Sequence, residues 1–288
     1  MLMLYRKGIK MAKVSFCDKL VFNEFKVYAS SLFGFISGIV IFVDIPASQK
    51  IMYGILCIVL LIVCYIWIWK RANKLREINI TIEESNVIIK TGDIFKQDGL
   101  KVIPFNEYFD TQVDEKIIAE TSLNGKFIKK YLQCPVGELD DYISNYQFDI
   151  EEKKDINESR INGKKQKFEI GTICVYGDYI LTALSKFDQY NQAHLTMPEY
   201  LGFLINFWDK VNRVYAQKSV SVPIFGSGLT RIKGHKTIDE QDLLKIMLWT
   251  FRISEMRFKY PAKLTIVIYE GKIDKINLFE LQKARNGL

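Results

Sequence analysis

The sequence predicts an α/β domain, a mixed sheet flanked by helices, preceded by an N-terminal two-helix transmembrane hairpin. Three observations carry this expectation. Two uncharged apolar runs, Val27–Val43 and Ile51–Trp69, lie close together near the N-terminus. From Glu77 onward, short β-branched runs alternate with amphipathic helical patterns, as in sheets that carry helices on their faces. Near the end of that region the stretch SVSVPIFGSGLTRI, Ser219–Ile232, places a glycine-rich loop after an apolar strand.

Composition narrows the classes. The chain has 288 residues, a net charge of +7 and a pI near 8.9. That charge suits the basic flanks of a membrane protein as well as it suits nucleic acid. The dense charge of Glu151–Lys167 is mixed in sign and lacks interleaved aromatics, so it reads as a solvent loop or hairpin tip and not as a nucleic-acid patch. Five cysteines without a C-x-x-C pair indicate free thiols in a reducing compartment. His194 and His235 are the only histidines, far apart in sequence, so no metal site is expected.

The hairpin follows from length and charge. At about 1.5 Å per residue the two apolar runs span roughly 26–29 Å, close to a hydrocarbon core of about 30 Å. Asp44–Lys50, with Pro46, separates them. Basic residues precede the first run and Lys70, Arg71, Lys74 and Arg76 follow the second. This asymmetry places both termini in the cytoplasm, with the hairpin in the cell inner membrane. Trp67 and Trp69 would sit at headgroup level. Gly34 and Gly38 offer a small-residue spacing for packing against the second helix or another copy. Domain boundaries are therefore expected at 1–76 (cytoplasmic N-terminus and two spans) and 77–288 (cytosolic domain).

Within that domain Ile78, Ile80 and Ile82 alternate with polar residues, and Val87–Lys90 completes a hairpin. Leu100–Phe105 is a further strand. Val113–Ala119 and Glu138–Tyr146 read as helices, with a helical turn within Ser122–Leu132. Phe168–Tyr176 and Tyr179–Ser185 read as strands. Pro198–Gln217 is an amphipathic helix with Leu201, Leu204, Ile205, Trp208 and Val211 on one face. Val220–Ile224 and Leu264–Tyr269 are strands. Asp239–Glu255 is a helix capped by Asp239, with Asp242 completing the cap. Lys275–Lys283 closes the chain as a last helix.

The glycine-rich loop is the main chemical clue. Paired glycines let backbone N–H groups crowd around an anion, and a strand, loop and helix is a recurrent phosphate holder. Gly226, Ser227, Gly228, Leu229 and Thr230 can supply amides, Ser227 and Thr230 hydroxyls, and Arg231 a cation. Phe225 can pack on a ribose or base, or fill the core. The loop lacks the lysine of G-x-x-x-x-G-K-[ST] and the third glycine of G-x-G-x-x-G, and an ordinary tight turn is the alternative.

Three stretches together resemble a macrodomain, the fold that binds ADP-ribose and its derivatives. Gly92-Asp93-Ile94-Phe95 resembles the family's opening Gly-Asp-Ile-Thr, where the Asp accepts from the adenine amino group and the next residue's backbone assists. Lys101–Thr111, KVIPFNEYFDT, resembles the strand and loop that hold the family's Asn, here Asn106. Ser219–Ile232 resembles its second phosphate loop. With a membrane hairpin in front, the architecture is similar to the TM-macro effectors of type II Thoeris antiphage systems. The resemblance implies a sensor of a histidine–ADP-ribose conjugate made by a partner TIR-domain enzyme, acting through the lipid bilayer, with homo-oligomers, no catalytic residue and no cofactor.

The chain departs from the hydrolytic members of that fold. Asn106 is followed by Glu107-Tyr108-Phe109-Asp110 and not by a glycine run. Phe109 would stack on a base or ribose, or pack; Asp110 would meet a ribose hydroxyl or a cationic appendage; Ser122 would contact phosphate, or cap a helix. The competing expectation is a membrane-tethered ADP-ribosyl hydrolase, which needs an activated water and a tightly wrapped ribose.

Overall fold

The computed structural model describes residues 13–43, 46–228, 230–233 and 238–284, with Arg231 and Lys233 described by their backbone. The chain forms two compact units, one of residues up to Arg76 together with Ile276–Ala284, the other of Glu77–Lys275. The C-terminal helix thus groups with the N-terminal helices.

The first unit contains α1 (Lys19–Val40), α2 (Ala47–Lys74) and α7 (Leu278–Lys283). Helix α1 starts well before the apolar run because the Asp18 carboxylate accepts the N–H groups of Leu20 and Val21 at 2.8 and 3.4 Å. Helix α2 has 28 residues, a mean hydropathy of 2.8 in its apolar window and 6% of that window buried; by length and composition it can cross a membrane. Residues Lys13–Phe16 strap onto its C-terminal half. Val14 donates to Asn73 Oδ1 at 3.0 Å, the Trp69 indole donates to the Val14 carbonyl at 3.0 Å, and the Tyr65 hydroxyl donates to the Phe16 carbonyl. Val14, Val21, Ile68, Ala72 and Phe279 form the buried cluster of this unit. A Cβ built at Gly34 or Gly38 meets nothing within 4 Å, so these glycines do not serve close packing of α1 on α2.

The second unit is built on a sheet of order β1-β2-β11-β9-β3-β7-β8-β10, with β6 also on β7. The strands are β1 (Glu77–Ile82), β2 (Ser85–Thr91), β3 (Leu100–Asn106), β6 (Ile173–Tyr176), β7 (Tyr179–Phe187), β8 (Ala193–Thr196), β9 (Val220–Pro223), β10 (Arg231–Lys233) and β11 (Leu264–Ile268). A separate hairpin pairs β4 (Lys153–Ile156) with β5 (Gln166–Phe168). β2, β11, β9, β3 and β7 run parallel, β1 pairs antiparallel with β2, β6 and β8 pair antiparallel with β7, and β10 pairs parallel with β8. Every residue of β11 is buried, which is why LTIVI carries no polar alternation. β1, at the edge, buries every second residue.

Helices α3 (Leu123–Lys126), α4 (Val136–Asn145), α5 (Met197–Val214) and α6 (Glu240–Ile253) complete the unit. A Thr196/Glu199 capping box and Pro198 start α5, which buries Tyr200, Phe203, Leu204, Phe207, Trp208 and Val211. Trp208 meets α6 through Phe251, ring centroids 5.2 Å apart, and its indole donates to Thr250 Oγ1 at 3.2 Å. Each such aromatic contributes about 1.5–3 kcal/mol by leaving water.

Some expectations are corrected. Val113–Ala119 is not helical: Asp114 Oδ1 accepts the N–H groups of Lys116 and Ile117 at 2.9 and 2.7 Å, and Glu115 has φ +62°. The aspartate side chain thus offers the backbone a turn in place of a helix. Helix α3 runs into a π-helical turn, Phe127–Tyr131. Glu151–Lys167 is largely exposed as expected, but Arg160 is pulled inward. The parallel pairing of β10 with β8 has no counterpart in the sequence reading.

Candidate functional site

The parallel strands bring their C-terminal ends to one edge of the sheet, where open α/β sheets hold ligands. Four segments meet that edge: Gly92-Asp93 after β2, Tyr269 after β11, Ile224–Gly228 after β9, and Glu107–Asp110 after β3.

The first two segments are neighbours, since the Gly92 N–H donates to the Ile268 carbonyl at 3.0 Å. Asp93 is half-buried; its Oδ1 accepts the Phe95 N–H at 3.0 Å and starts a short 3-10 turn, Ile94–Lys96. The Ile94 side chain is buried. Tyr269 is 65% exposed, an aromatic ring left in solvent at the end of a fully buried strand. Lys126 Nζ stands 5.4 Å from its ring centroid. The sequence reading missed Tyr269, taking it as the last residue of the strand; an aromatic at the exit of an all-apolar run was the available signal.

The glycine-rich loop is a tight turn anchored from below. Phe225 packs edge-on against Phe203 and Phe207, 5.0 Å from each, and its carbonyl accepts the Tyr200 hydroxyl at 2.9 Å. Its side chain is 1% exposed, so it fills the core and does not stack on a ligand. Gly226 has φ +77°, the third position of a turn closed by Ser227 N–H to the Ile224 carbonyl at 3.3 Å. The Ser227 hydroxyl donates to the same carbonyl at 2.7 Å and so is engaged within the turn. With the Phe225 and Ser227 side chains engaged, the turn itself presents backbone at Gly226 and Gly228. Gly228 is exposed and Thr230 half-buried; Leu229, His235 and the Arg231 side chain lie outside the described residues. The expected phosphate-holding helix is not next in line. β10 follows the loop, and the N-terminus of α6 is capped by its own Asp239 and Asp242.

The loop after β3 differs most from expectation. Asn106 is buried; its Oδ1 accepts the N–H groups of Tyr108 and Asp110 at 3.0 and 3.2 Å, and its amide donates to Asp110 Oδ2 at 2.8 Å. Phe109 is held at φ +48° with its ring in the core against Phe105, Phe148 and Phe168, so it cannot stack on a ligand. Asp110 is 1% exposed and is gripped by Arg160 and the Lys164 N–H, so its carboxylate is engaged inside the protein. Arg160 reaches it from the β4–β5 hairpin and lies over the Tyr108 ring, 3.8 Å from the centroid. Ser122 caps α3 through the Gly125 N–H at 3.1 Å and donates to the Ala119 carbonyl at 2.5 Å. Its hydroxyl is thus engaged in a helix-entry turn.

Two clefts lie away from the glycine turn. A groove of about 700 Å³ runs along α4, lined by Glu138, Asp141, Tyr142, Asn145, Tyr146 and Gln147. A smaller one of about 280 Å³ lies between Asp110, Thr111, Asp140, Gly163 and Lys164. Size alone favours the α4 groove, but it lies on a helix flank and borders none of the strand ends, so the sheet edge is the better candidate. Among the described residues no cluster of His, Cys, Asp and Glu has metal-binding geometry.

Residues 87–269 match the family model described as Thoeris protein ThsA, Macro domain. The chain is similar to the Thoeris protein ThsA of Bacillus amyloliquefaciens (strain Y2), at 38% identity over 258 residues, 88% of this chain and 86% of that protein. Among solved structures, it is similar to the Oceanobacillus iheyensis macrodomain with ADP, at 13% identity and a TM-score of 0.45, covering 72% of this chain and 95% of that one. The same macrodomain with MES bound aligns at 14% identity and a TM-score of 0.42, over 69% and 90% of the two chains.

Proposed function

The chain belongs to the Thoeris ThsA macrodomain family, and from that premise we propose that it is a membrane-anchored sensor in antiphage defence, of the TM-macro type. Its macrodomain binds an ADP-ribose-derived signal, a histidine–ADP-ribose conjugate supplied by a partner TIR-domain enzyme. Binding activates α1 and α2 as a two-span hairpin with both termini cytoplasmic, and homo-oligomers of it disrupt the inner membrane and arrest the infected cell.

One observation carries this reading. Helix α2, apolar enough to cross a bilayer, ends at Lys74, and the first strand of the macrodomain begins at Glu77. A sensor domain and a membrane segment are thus joined with almost no linker. At the sheet edge, Asp93 is the acceptor for an adenine amino group and Tyr269 offers a face for the base. The Gly226 and Gly228 amides provide donors for a diphosphate without a flexible cation. Binding without turnover is supported by the loop after β3, where Asn106 and Asp110 are engaged inside the protein, so neither is poised to activate water.

The test is calorimetry of the full chain in lipid nanodiscs against ADP-ribose, NAD and the histidine adduct, with recovery of the ligand afterwards. The expected result is stoichiometric retention of intact adduct, together with ligand-triggered dye release from vesicles carrying the protein. Steady formation of free ADP-ribose from ADP-ribosylated protein would replace the sensor by a tethered hydrolase. Tight binding with no dye release would remove the membrane step.

A further inference from the structure

We infer that the C-terminal helix α7 carries occupancy of the sheet-edge site to the paired helices α1 and α2; the inference rests on the sensor reading for what occupies that site. In sequence α7 follows β11 through a short spacer, Tyr269–Asn277, yet it packs in the unit formed by α1 and α2. Phe279, 4% exposed, shares a cluster with Val21, Ile68 and Ala72. Lys283 Nζ lies 2.6 Å from Oε2 of Glu24, whose side chain is 11% exposed. Arg71 stands farther off, 3.7 Å from Oε1.

A carboxylate this far from water depends on its partner, because an uncompensated buried charge is strongly destabilising. Glu24 therefore has two distinct environments, α7 docked and α7 released, and not a continuum between them. The helix pair senses which one holds.

The spacer is not slack. Lys272 and Lys275 place Nζ 2.5 and 3.2 Å from Oε1 of Glu240, in the first turn of α6. The Lys272 N–H donates to the Tyr269 carbonyl at 2.8 Å. Tyr269 is thus followed by an ordered spacer up to Lys275, with α7 starting at Leu278. A ligand that engages the Tyr269 ring biases the spacer and releases Lys283 from Glu24.

Linkage makes this testable by binding alone. If the ligand releases α7, a chain whose α7 is already loosened must bind it more tightly, by the same coupling factor. The variant is Lys283→Glu in the full chain in nanodiscs; Glu24→Gln, isosteric and uncharged, is the second. Both are expected to bind ADP-ribose about 5-fold tighter or more, and the Glu24→Lys/Lys283→Glu exchange to return to the wild-type affinity. ADP-ribose should also speed amide exchange over Leu278–Lys283. Wild-type binding with unchanged or weaker affinity in both variants, or with unaltered exchange in α7, overturns the inference and leaves the sensor standing. Failure of wild-type protein to bind ADP-ribose or its histidine adduct overturns the sensor reading, and the inference with it.

Discussion

Arg160 grips Asp110 with two hydrogen bonds, Nη1 to Oδ1 at 3.1 Å and Nη2 to Oδ2 at 2.7 Å, although fifty positions separate them in sequence. The pair is out of water, with side-chain exposures of 7% and 1%. Gly163 makes room for it: at φ +90°, a Cβ there would stand 2.7 Å from Asp110 Oδ1. Removing one member leaves a buried charge without its partner. Arg160→Met is expected to destabilise the chain by about 3–5 kcal/mol. The double variant Arg160→Met/Asp110→Asn should lose less than the sum of the two single changes. Denaturant unfolding of the four proteins measures the coupling; strictly additive losses would mean the pair contributes no specific energy.

The two glycines of the turn after β9 answer to different constraints. Gly226 sits at φ +77°, where an L side chain is strained, while its surroundings begin only at 3.5 Å. Gly226→Ala is thus expected to cost about 1–2 kcal/mol of stability through backbone strain. It should also weaken ADP-ribose binding at least tenfold by tilting the amides of the turn. Gly228 has open space around it. Gly228→Ala should leave the melting temperature within a degree or two, so any loss of affinity there reports contact with ligand. Equal effects at the two positions in thermal melts would contradict the turn geometry.

Tyr269 and Asp93 should separate binding from stability. Tyr269 is exposed, so Tyr269→Ala is expected to change stability by no more than about 0.5 kcal/mol. Loss of a base-stacking face costs about 1–3 kcal/mol, or roughly 5- to 150-fold in affinity. Asp93→Ala removes the cap on the Phe95 N–H as well as the expected adenine acceptor, so it should lower both affinity and stability, the latter by about 1 kcal/mol. Calorimetry against ADP-ribose alongside thermal melts reads both. Wild-type affinity in Tyr269→Ala would move the base away from β11.

The legible parts of this fold were those fixed by local pattern. The alternation of Ile78, Ile80 and Ile82 gave a strand, and the Asp239/Asp242 pair gave the start of α6, because each signal acts within a turn or a strand. The site was legible only in outline. The segments Gly92-Asp93, Asn106 and the Gly226 turn, singled out in the sequence, all follow strands that end at one edge of the sheet, but side-chain roles there depend on distant partners. Asp110 looked free beside bulky neighbours, since nothing near it in sequence announces Arg160. Phe109 and Phe225 looked available until Phe168 and Phe203 closed over them. Val113–Ala119 carried a helical spacing, and one aspartate side chain at Asp114 overrode it.

Glu199 gives the domain a defined acid sensitivity. It joins the first turn of α5 to the end of β7, with Lys186 Nζ 2.6 Å from its Oε1 and the Thr196 N–H 2.7 Å from its Oε2. Partial burial by itself would raise this carboxyl; the lysine and the two Thr196 donors outweigh it and hold it down at about 2. A carboxyl depressed in the folded state adds stability above its unfolded value of about 4.3 and loses it as pH falls toward the folded value. Because the side chain is 30% exposed, solvent screening reduces the contribution to roughly 1 kcal/mol. Wild-type protein is therefore expected to lose about 1 kcal/mol more than Glu199→Gln between pH 5 and pH 2, read from denaturant midpoints across that range. The neutral variant keeps an amide oxygen for the Thr196 N–H, so its curve isolates the charge. Parallel curves would show that Lys186 and Glu199 meet without stabilising the fold.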